Sequence, residues 1–397
     1  MNDPTVSDHI LLTFNPGSST IKLGIYALAA TGTRRIGSGM IDLRHAPFRL
    51  HVSESGQTTD IPLAAPHSED LRDLIEETLG WLARHFPAVE ITAIGHRVVH
   101  GGDRFTGPEL VSDEVLDAIE RLTPLAPLHQ PQGVRLIKAI KHVWPDRPQI
   151  ASFDTAFHRS QSDLVRRFAL PRDLFDQGIK RYGFHGLSYN YIAGQLARQA
   201  PEIAKGRVVA AHLGSGASLC ALDNGISRDT TMGFSTLDGI PMATRCGALD
   251  PGVILHLLQQ RGLDAGAVED MLYRRSGLLG VSGISADSRD LAASDAPQAR
   301  EALDLFAFHI AKQTAAMATT LGGLDGLVFT AGIGEHQPAV REAVCRHLAW
   351  LGVAVDPKAN AADAPRIEAE SSKVAVFVMP TDEEQVIAEE ARAVLRQ

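Results

Sequence analysis

Short apolar runs alternate with amphipathic stretches along most of this chain, and the alternation predicts strands followed by helices. Two segments have the pattern strand, small-residue turn, strand, which is typical of a β-hairpin; one spans residues 9–26 and the other residues 207–222. The two hairpins lie about half a chain apart, far beyond the period of a solenoid. They therefore predict a duplicated domain.

Boundary signals place the other elements. Asp250 and Pro251 predict the N-cap and first residue of a helix that ends before Gly262. Further helices are predicted over 67–86 (ended by Pro87), after Ser112, near Pro131, over 296–320, near Pro338 and in the last residues of the chain. Further strands are predicted over 90–94, 149–153, 326–330 and 373–379. Strands alternating with helices indicate an α/β architecture.

Length and composition narrow the class of protein. The 397 residues exceed the roughly 250–300 at which a single core stops growing, so two domains are expected. With 44% hydrophobic and 21% charged residues, the chain is neither fibrous nor disordered. The net charge of −9 without any block of Lys or Arg argues against nucleic acid or an anionic membrane as a partner. No apolar run approaches the roughly 20 residues of a membrane span.

The cysteines and the first residues predict a cytoplasmic location. Cys220, Cys246 and Cys345 are far apart and lack C-x-x-C spacing, which disfavours a disulfide framework or a zinc site. We expect them to be small packed residues. Residues 1–8 are polar and acidic, unlike a signal peptide.

Three glycine-rich turns follow apolar strands, at residues 15–20, 212–216 and 332–336. Small residues let backbone N–H groups approach phosphate oxygens. One such turn commonly only reverses the chain, but three in one sequence favour a phosphate-binding function. None matches the P-loop or the dinucleotide-binding fingerprint.

Four cationic candidates accompany these turns, and each also has a structural interpretation. Lys22 follows the first turn, where it could reach a phosphate or be a solvated strand lysine. Arg97 lies among glycines and histidines, and its fork suits carboxylate or phosphate as well as a surface ion pair. Arg245 lies in the irregular stretch 236–250, and long irregular loops are commonly functional. His185 is flanked by glycine, but most of the 16 histidines must be bystanders, so it could equally be a packed or solvated residue.

Two carboxylates complete the set of candidates. Asp154 follows a predicted strand and could be linked to a metal. Glu383 precedes the last predicted helix, where an acidic residue also stabilises the helix dipole.

Taken together, these segments resemble the acetate kinase family, within the superfamily of acetate and sugar kinases, heat-shock chaperones and actin. The motifs follow the family's order over nearly the whole chain. The matching segments are Asn15-x-Gly-Ser-Ser-x-x-Lys22, Gly95-His-Arg-Val-Val-His-Gly-Gly102, Leu125–Pro131, Phe153-Asp-Thr-Ala-Phe-His158, Arg181-Tyr-Gly-Phe-His-Gly186, His212-Leu-Gly-x-Gly216, Thr244-Arg-Cys-Gly247, Asp287-x-Arg289, Ala331-Gly-Ile-Gly-Glu335 and Pro380-Thr-x-Glu-Glu384.

The resemblance implies an α/β fold of two actin-like (ribonuclease H-like) domains, duplicated around a central cleft and paired as a homodimer. We expect the N-terminal domain over residues 1–154 with a returning helix at 386–397. The nucleotide-binding domain is expected over 155–385.

The resemblance also implies reversible in-line transfer of the ATP γ-phosphoryl group to acetate, with Mg²⁺ or Mn²⁺, giving acetyl phosphate and ADP. Asn15 and Glu383 would hold the metal. As catalytic and substrate-binding residues, Arg97 and Arg245 would bind the carboxylate and the transferring phosphoryl group, and His129 would support the same pocket. His185 would donate to the transferring group, and Asp154 would orient or assist near the metal. The nucleotide would be lined by Lys22, His212, Leu213, Gly214, Ser215, Gly216, Asp287, Ser288, Arg289, Gly332, Ile333, Gly334, Glu335 and His336.

These roles agree with the chemistry of the reaction. A carboxylate is already ionised at pH 7, with an unperturbed pKa near 4, so no strong general base is needed. The barrier is repulsion between that anion and the phosphoryl oxygens, which arginines, a histidine and Mg²⁺ offset.

Two alternatives stay open at this point. A propionate or butyrate kinase of the same group would differ in pocket volume, which the sequence does not give. A nucleotide-switched chaperone or filament protein would share the fold but leave Arg97, His185 and Arg245 without a purpose. Ser215 and His336 depart from the family pattern, so the nucleotide preference is also open.

Overall fold

The computed structural model describes residues 9–17, 20–29, 31–44, 47–66, 70–86 and 90–396. The chain divides into two compact units. The first contains the chain up to Phe157 together with the segment from Asp382 onward, and the second is His158–Thr381. The sequence-based boundaries at 154 and 385 stay a prediction. Residues 1–8, Ser18 and Ser19 of the first glycine-rich turn, 67–69 and Pro87 lie outside the described residues.

The regular elements are numbered in chain order. The strands are β1 His9–Pro16, β2 Thr20–Leu28, β3 Thr33–Asp42, β4 Arg49–Glu54, β5 Gln57–Pro62, β6 Glu90–Val98, β7 Glu109–Leu110, β8 Gln149–Phe153, β9 Arg207–Leu213, β10 Ala217–Asp223, β11 Ile226–Thr230, β12 Gly326–Thr330 and β13 Ala375–Val378. The helices are α1 Arg72–His85, α2 Asp113–Arg121, α3 Gln130–Val143, α4 Asp163–Arg166, α5 Arg172–Asp176, α6 Gly186–Gln199, α7 Pro201–Ala204, α8 Pro251–Gln259, α9 Ala265–Arg274, α10 Gly277–Ser282, α11 Ser288–Ala292, α12 Pro297–Leu321, α13 Ala331–His336, α14 Pro338–His347, α15 Pro357–Ala361 and α16 Glu383–Leu395. Short 3₁₀ turns lie at Thr123–Leu125, Asp154–His158 and Ala349–Leu351.

The first unit is a sheet covered on both faces. Its strand order is β5-β4-β3-β2-β1-β6-β8-β7. Successive side chains of a strand point to opposite faces, so Ile10, Leu12 and Phe14 of β1 pack in one core with residues of α1 and α3. Leu11 faces the other way and packs with Ala388 and Ala391 of α16. Burial on both faces explains why β1 is a continuous apolar run in the sequence.

The second unit repeats the central plan of the first. Its order is β11-β10-β9-β12-β13, with β11, β10 and β9 antiparallel and β9, β12 and β13 parallel. The first unit has the same arrangement in β3-β2-β1-β6-β8, to which β4 and β5 are added at one edge and β7 at the other. This common order confirms the duplicated α/β fold.

Several predicted boundaries need correction. The strand predicted over 90–94 runs on to Val98, because β6 pairs with β8 as far as Val98 and Phe153. The helix that begins at Pro251 does end before Gly262, at Gln259. Residues 332–336, predicted as a turn, belong to the short helix α13. The predictions also omitted β3–β5, where exposed polar positions hide the strand pattern: five of the six residues of β5 are exposed.

None of the helices in the described ranges combines the length and the hydropathy that a membrane span requires.

Candidate active site

In the first unit, three candidate residues lie at one edge of the sheet. Asn15 is near the end of β1, Arg97 is the penultimate residue of β6, and Asp154 directly follows β8. The strands β1, β6 and β8 are parallel neighbours, so their carboxyl ends meet at this edge. Such edges are where α/β folds bind ligands.

Arg97 and Asp154 form a buried ion pair. The Nη2 atom of Arg97 donates to Oδ2 of Asp154 at 2.6 Å, and its Nε lies 3.2 and 3.1 Å from Oδ1 and Oδ2. The side chains are only 14% and 1% exposed. Burial alone lowers the pKa of Arg97, but the carboxylates of Asp154, Glu383 and Glu384 outweigh it and raise that pKa above its ordinary value. Arg97 is thus a fixed, permanent cation.

Asn15 connects this edge to the start of α16. Its Nδ2 donates to Glu383 at 2.9 Å and to Glu384 at 2.8 Å. Nη1 of Arg97 donates to the Pro16 carbonyl at 3.3 Å and to Oδ1 of Asn15 at 3.4 Å. Carboxylate and amide oxygens therefore gather beside a cation.

These oxygens suit Mg²⁺ better than a soft metal. Mg²⁺ prefers oxygen ligands and is held by one or two carboxylates, with water and substrate phosphates as its other ligands. Among the described residues, no three His, Cys, Asp or Glu side chains form a group that could hold a metal by themselves. Asn15 and Glu383 fit the partial ligand set of a Mg²⁺ ion that also binds a phosphate.

Gly95 explains how α16 comes so close to the sheet. A Cβ atom at Gly95 would lie 2.6 Å from Cγ2 of Ile387 and 3.5 Å from Cβ of Ala391. The missing side chain lets α16 pack on β6, which brings Glu383 to Asn15. Gly95 opens the motif Gly95–Gly102, but this role depends on a helix almost 300 residues away and is not visible in the motif.

Lys22 and His129 have different surroundings. Lys22 is exposed on β2 and is paired with Asn15 in the β1–β2 register, which places it beside the same edge. His129 is the half-buried N-cap residue of α3. Gln130, the next residue, fixes the segment after Arg97, because its side-chain amide exchanges hydrogen bonds with the backbone of His100.

In the second unit, two candidates lie at the turn between β9 and β10. A Cβ atom at Gly216 would lie 3.4 Å from Nε2 of His185 and 3.8 Å from Nη1 of Arg245. The ring of His185 stacks on that of His212, with centroids 4.3 Å apart. The turn is closed by the Gly214 N–H, which donates to the Gly216 carbonyl at 3.1 Å. Two imidazoles and a guanidinium thus surround a turn of small residues.

Arg245 is held in this place by its loop. The predicted irregular stretch is confirmed, since no helix or strand lies between β11 and α8. The Ala243 N–H donates to the Ser215 carbonyl at 3.2 Å, and Nη1 of Arg245 donates to the Thr236 carbonyl at 3.3 Å. Gly277, at φ +61°, packs directly against this loop, and only glycine fits there because a Cβ would lie 2.0 Å from the Met242 carbonyl oxygen.

His185 depends on a buried histidine whose role sequence reasoning missed. His185 has a left-handed backbone, with φ of +57°, directly before α6. Nε2 of His158 lies 2.9 Å from the Phe184 carbonyl oxygen and Nδ1 lies 2.8 Å from Oγ of Ser227. A Cβ at Gly183 would lie 2.5 Å from the His158 ring. The glycine of Arg181-Tyr-Gly-Phe-His therefore admits the histidine of Phe153-Asp-Thr-Ala-Phe-His.

The remaining nucleotide candidates lie at α11 and α13. Asp287 caps α11 by accepting from the Arg289 N–H, and hydrogen bonds from Arg289 lower the pKa of Asp287 to about 2. The Arg289 side chain is 81% exposed. Nε2 of Gln337, at the end of α13, donates to Oγ of Ser288 at 2.5 Å, which links the two helices.

Arg341, which was not among the candidate residues, binds the carbonyls at the end of α13. Its buried guanidinium makes five hydrogen bonds, to the carbonyls of Gly334 and Glu335, to the side chain and carbonyl of Asn360, and to Asp363. A guanidinium has five N–H donors, so its whole donor capacity is used. The carbonyls at the end of α13 would otherwise lack partners.

Comparisons with known proteins agree on one family. The model of the Acetokinase family matches residues 10–389. The acetate kinase of Rhodopseudomonas palustris (strain ATCC BAA-98 / CGA009) is 50% identical over 388 residues, covering 96% of each chain. Among solved structures, a propionate kinase from Francisella tularensis has a TM-score of 0.90 at 32% identity, covering 97% of this chain and 100% of its own. The Porphyromonas gingivalis acetate kinase has a TM-score of 0.87 at 33% identity, covering 98% and 100%.

Proposed function

The chain belongs to the acetokinase family, and from that premise we propose that it transfers the γ-phosphoryl group of ATP reversibly to acetate. Membership makes it a phosphotransferase with a carboxyl group as acceptor. The observation that carries the choice of acetate is the 50% identity, over nearly the whole chain, to a protein named acetate kinase.

The described clusters supply what such a transfer requires. The acetate carboxylate is ionised at neutral pH, so the protein has to offset charge repulsion more than it has to remove a proton. We assign Arg97 and Arg245, supported by His129, to the carboxylate and the transferring group. The rigidity of Arg97 favours this role, because a guanidinium already held by Asp154 needs no reorganisation as charge develops.

His185 is assigned as a donor to the phosphoryl oxygens, and Asp154 holds Arg97 in place. Lys22, the His212–Gly216 turn, the start of α11 and α13 are assigned to the nucleotide. Asn15 and Glu383 would hold Mg²⁺, which when bound neutralises charge on the phosphate oxygens. The oxygen-rich surroundings of Asn15 support this choice of metal.

Steady-state kinetics with acetate, propionate and butyrate test the substrate. We expect kcat/KM to be highest for acetate. The propionate kinase among the similar structures makes propionate the second candidate. A kcat/KM that clearly favours propionate or butyrate would replace acetate by that substrate while leaving the reaction class intact.

The proposal includes a homodimer. The helix α8 has the sequence Pro-Gly-Val-Ile-Leu-His-Leu-Leu-Gln, yet none of its residues is buried. Val253 and Leu255 are 41% and 52% exposed. An uncovered apolar helix face of this kind favours a second copy of the chain as its partner. Light scattering should give twice the chain mass for the parent, and Leu255→Glu should shift it towards the monomer.

The proposal also includes a cytoplasmic location and no nucleic-acid or membrane partner. All three cysteines are free, which suits a reducing compartment. The net charge of −9 disfavours polyanionic partners.

A further inference from the structure

We propose that Ser218 and Tyr189 are positioning residues that keep the proton of His185 on Nε2, through hydrogen bonds from Tyr189 to Ser218 and from Ser218 to His185. The consequence for catalysis rests on the function proposed above. The arrangement of the three side chains is independent of that function.

The geometry forms a continuous chain of hydrogen bonds. Oγ of Ser218, in β10, lies 2.9 Å from Nδ1 of His185 and 2.5 Å from the hydroxyl of Tyr189, in α6. Ser218 and Tyr189 have no solvent exposure. A serine hydroxyl has one proton, so it can donate to only one of its two neighbours and must accept from the other.

The surroundings of Tyr189 decide which of its two neighbours Ser218 donates to. Burial, the largest effect, raises the pKa of its phenol well above the ordinary value, so the phenol keeps its proton. Among the described residues, the side-chain acceptor within hydrogen-bond distance of the phenolic O–H is Oγ of Ser218, so the phenolic proton goes there. Ser218 then donates to Nδ1 of His185.

Hydrogen bonds that run in the opposite direction, from His185 to Ser218 and from Ser218 to Tyr189, are unfavourable. With the proton on Nδ1 of His185, Ser218 would donate to Tyr189. The phenolic proton would then have no acceptor among the described residues, in a position closed to water. A buried unsatisfied donor costs about 1–3 kcal/mol, enough to fix one tautomer.

The proton on Nε2 faces the place where an anion is expected. Nε2 is the ring atom nearest to the Cβ position of Gly216, at 3.4 Å, and Nη1 of Arg245 lies 3.8 Å from the same point. Neutral His185 can thus donate to a phosphoryl oxygen without first being protonated. The charged and titratable groups near this ring include Arg245, the stacked His212 and the phenol of Tyr189.

The test is ¹⁵N NMR of the full-length protein labelled at histidine. The His185 signals are those that disappear in His185→Gln. At pH 8, where a histidine of ordinary pKa is neutral, we expect the Nε2-protonated tautomer in the parent protein. In Ser218→Ala we expect a mixture of tautomers, whereas Ser218→Thr keeps the hydroxyl and should keep the parent tautomer.

Kinetics provide the second readout. Hydrogen-bond partners that orient a metal-ligating histidine typically contribute roughly 10–100-fold to activity. By the same logic, Ser218→Ala should lower kcat by roughly that factor while the KM for acetate changes less than about twofold. Tyr189→Phe should have a smaller effect in the same direction. Thr230→Val is the matched control, since it removes another buried hydroxyl of the same sheet that bonds the Leu219 carbonyl and not His185. It should leave both readouts at the parent values.

An Nδ1-protonated His185 in the parent protein, or an unchanged tautomer in Ser218→Ala, would overturn the proposal. These results are distinct from a failure of the proposed function, because the tautomer is read without turnover. A parent protein with the expected tautomer but no acyl phosphate formation would contradict only the function.

Discussion

At the scale of single residues, three histidines show how burial keeps an imidazole ring neutral. His96, His100 and His158 are almost completely buried, and burial lowers the pKa of each from 6.5 to about 4. Their hydrogen bonds are those of neutral rings: Nδ1 of His100, for example, accepts from the Gly102 N–H at 3.0 Å. These residues position the segments that carry Arg97 and His185, and they contribute no charge.

Stability should therefore fall on acidification. The unfolded chain protonates these histidines near pH 6.5, whereas the folded chain resists protonation down to about pH 4. Their contribution is fully present above pH 6.5 and is lost as pH falls from 6.5 to 4. Each histidine changes the free energy of unfolding by at most about 1.4 kcal/mol per pH unit in this window. Urea unfolding at a series of pH values measures the slope.

A matched variant tests the assignment. His158→Gln should reduce this slope, while His142→Gln, on a histidine outside the buried set, should leave it unchanged. A free energy of unfolding that stays constant from pH 6.5 to 4.5 would show that the histidines are already protonated in the folded protein.

At the scale of elements, two helices are positioned by residues distant in sequence. The start of α16 carries Glu383 to Asn15, and this depends on Gly95 in β6. The helix α13 carries the third glycine-rich segment, and it depends on Arg341 in α14. Each dependence gives a prediction.

Gly95→Ala should separate α16 from the sheet. The added methyl would lie 2.6 Å from Ile387, and overpacking of this kind costs about 1–3 kcal/mol of unfolding free energy. We also expect a higher Mg²⁺ concentration for half-maximal activity, because Glu383 moves with the helix. Gly194→Ala is the control: its Cβ would meet only the end of the Arg198 side chain, at 3.8 Å or more. Equal behaviour of the two variants would contradict the account.

Arg341→Met should loosen α13. It leaves the Gly334 and Glu335 carbonyls and the Asp363 carboxylate without their arginine partner, and breaking a buried charged network costs about 3–5 kcal/mol. The KM for ATP should rise more than the KM for acetate. Arg346→Met, on the exposed side of the same helix, should change neither stability nor KM. A larger rise in the KM for acetate than in the KM for ATP would contradict the assignment of α13 to the nucleotide site.

At the scale of the whole molecule, local signals predicted more than long-range ones. The two hairpins and the caps at Ser112 and Asp250 were predicted correctly, because turn residues and caps act within a few positions of the chain. The hairpins and the resemblance predicted a duplicated domain, but the order of the strands could not be derived from spacing. The order shared by the two sheets confirms the duplication.

The candidate site was predictable in its residue types but not in its supports. Motifs singled out Arg97, His185 and Arg245. Their supports lie far away in sequence: Arg97 and Asp154 are 57 residues apart, and His158 and Ser227 are 69 apart. Nothing local in the sequence marks such a pairing, so Gly95, His158 and Arg341 were recognised only from their contacts.

The central claim is that fixed cations let this chain join a carboxylate to a phosphoryl group. The most direct measurement is the rate of acyl phosphate formation from ATP and acetate with Mg²⁺, trapped with hydroxylamine, for the parent, Arg97→Ala, Arg245→Ala and the exposed control Arg346→Ala. A positioned arginine contributes roughly 10³–10⁵ in rate to phosphoryl transfer. We expect each of the first two variants to lose at least about 10³-fold in kcat, with circular dichroism unchanged and the control at the parent rate. Near-normal turnover in both Arg97→Ala and Arg245→Ala would contradict the account.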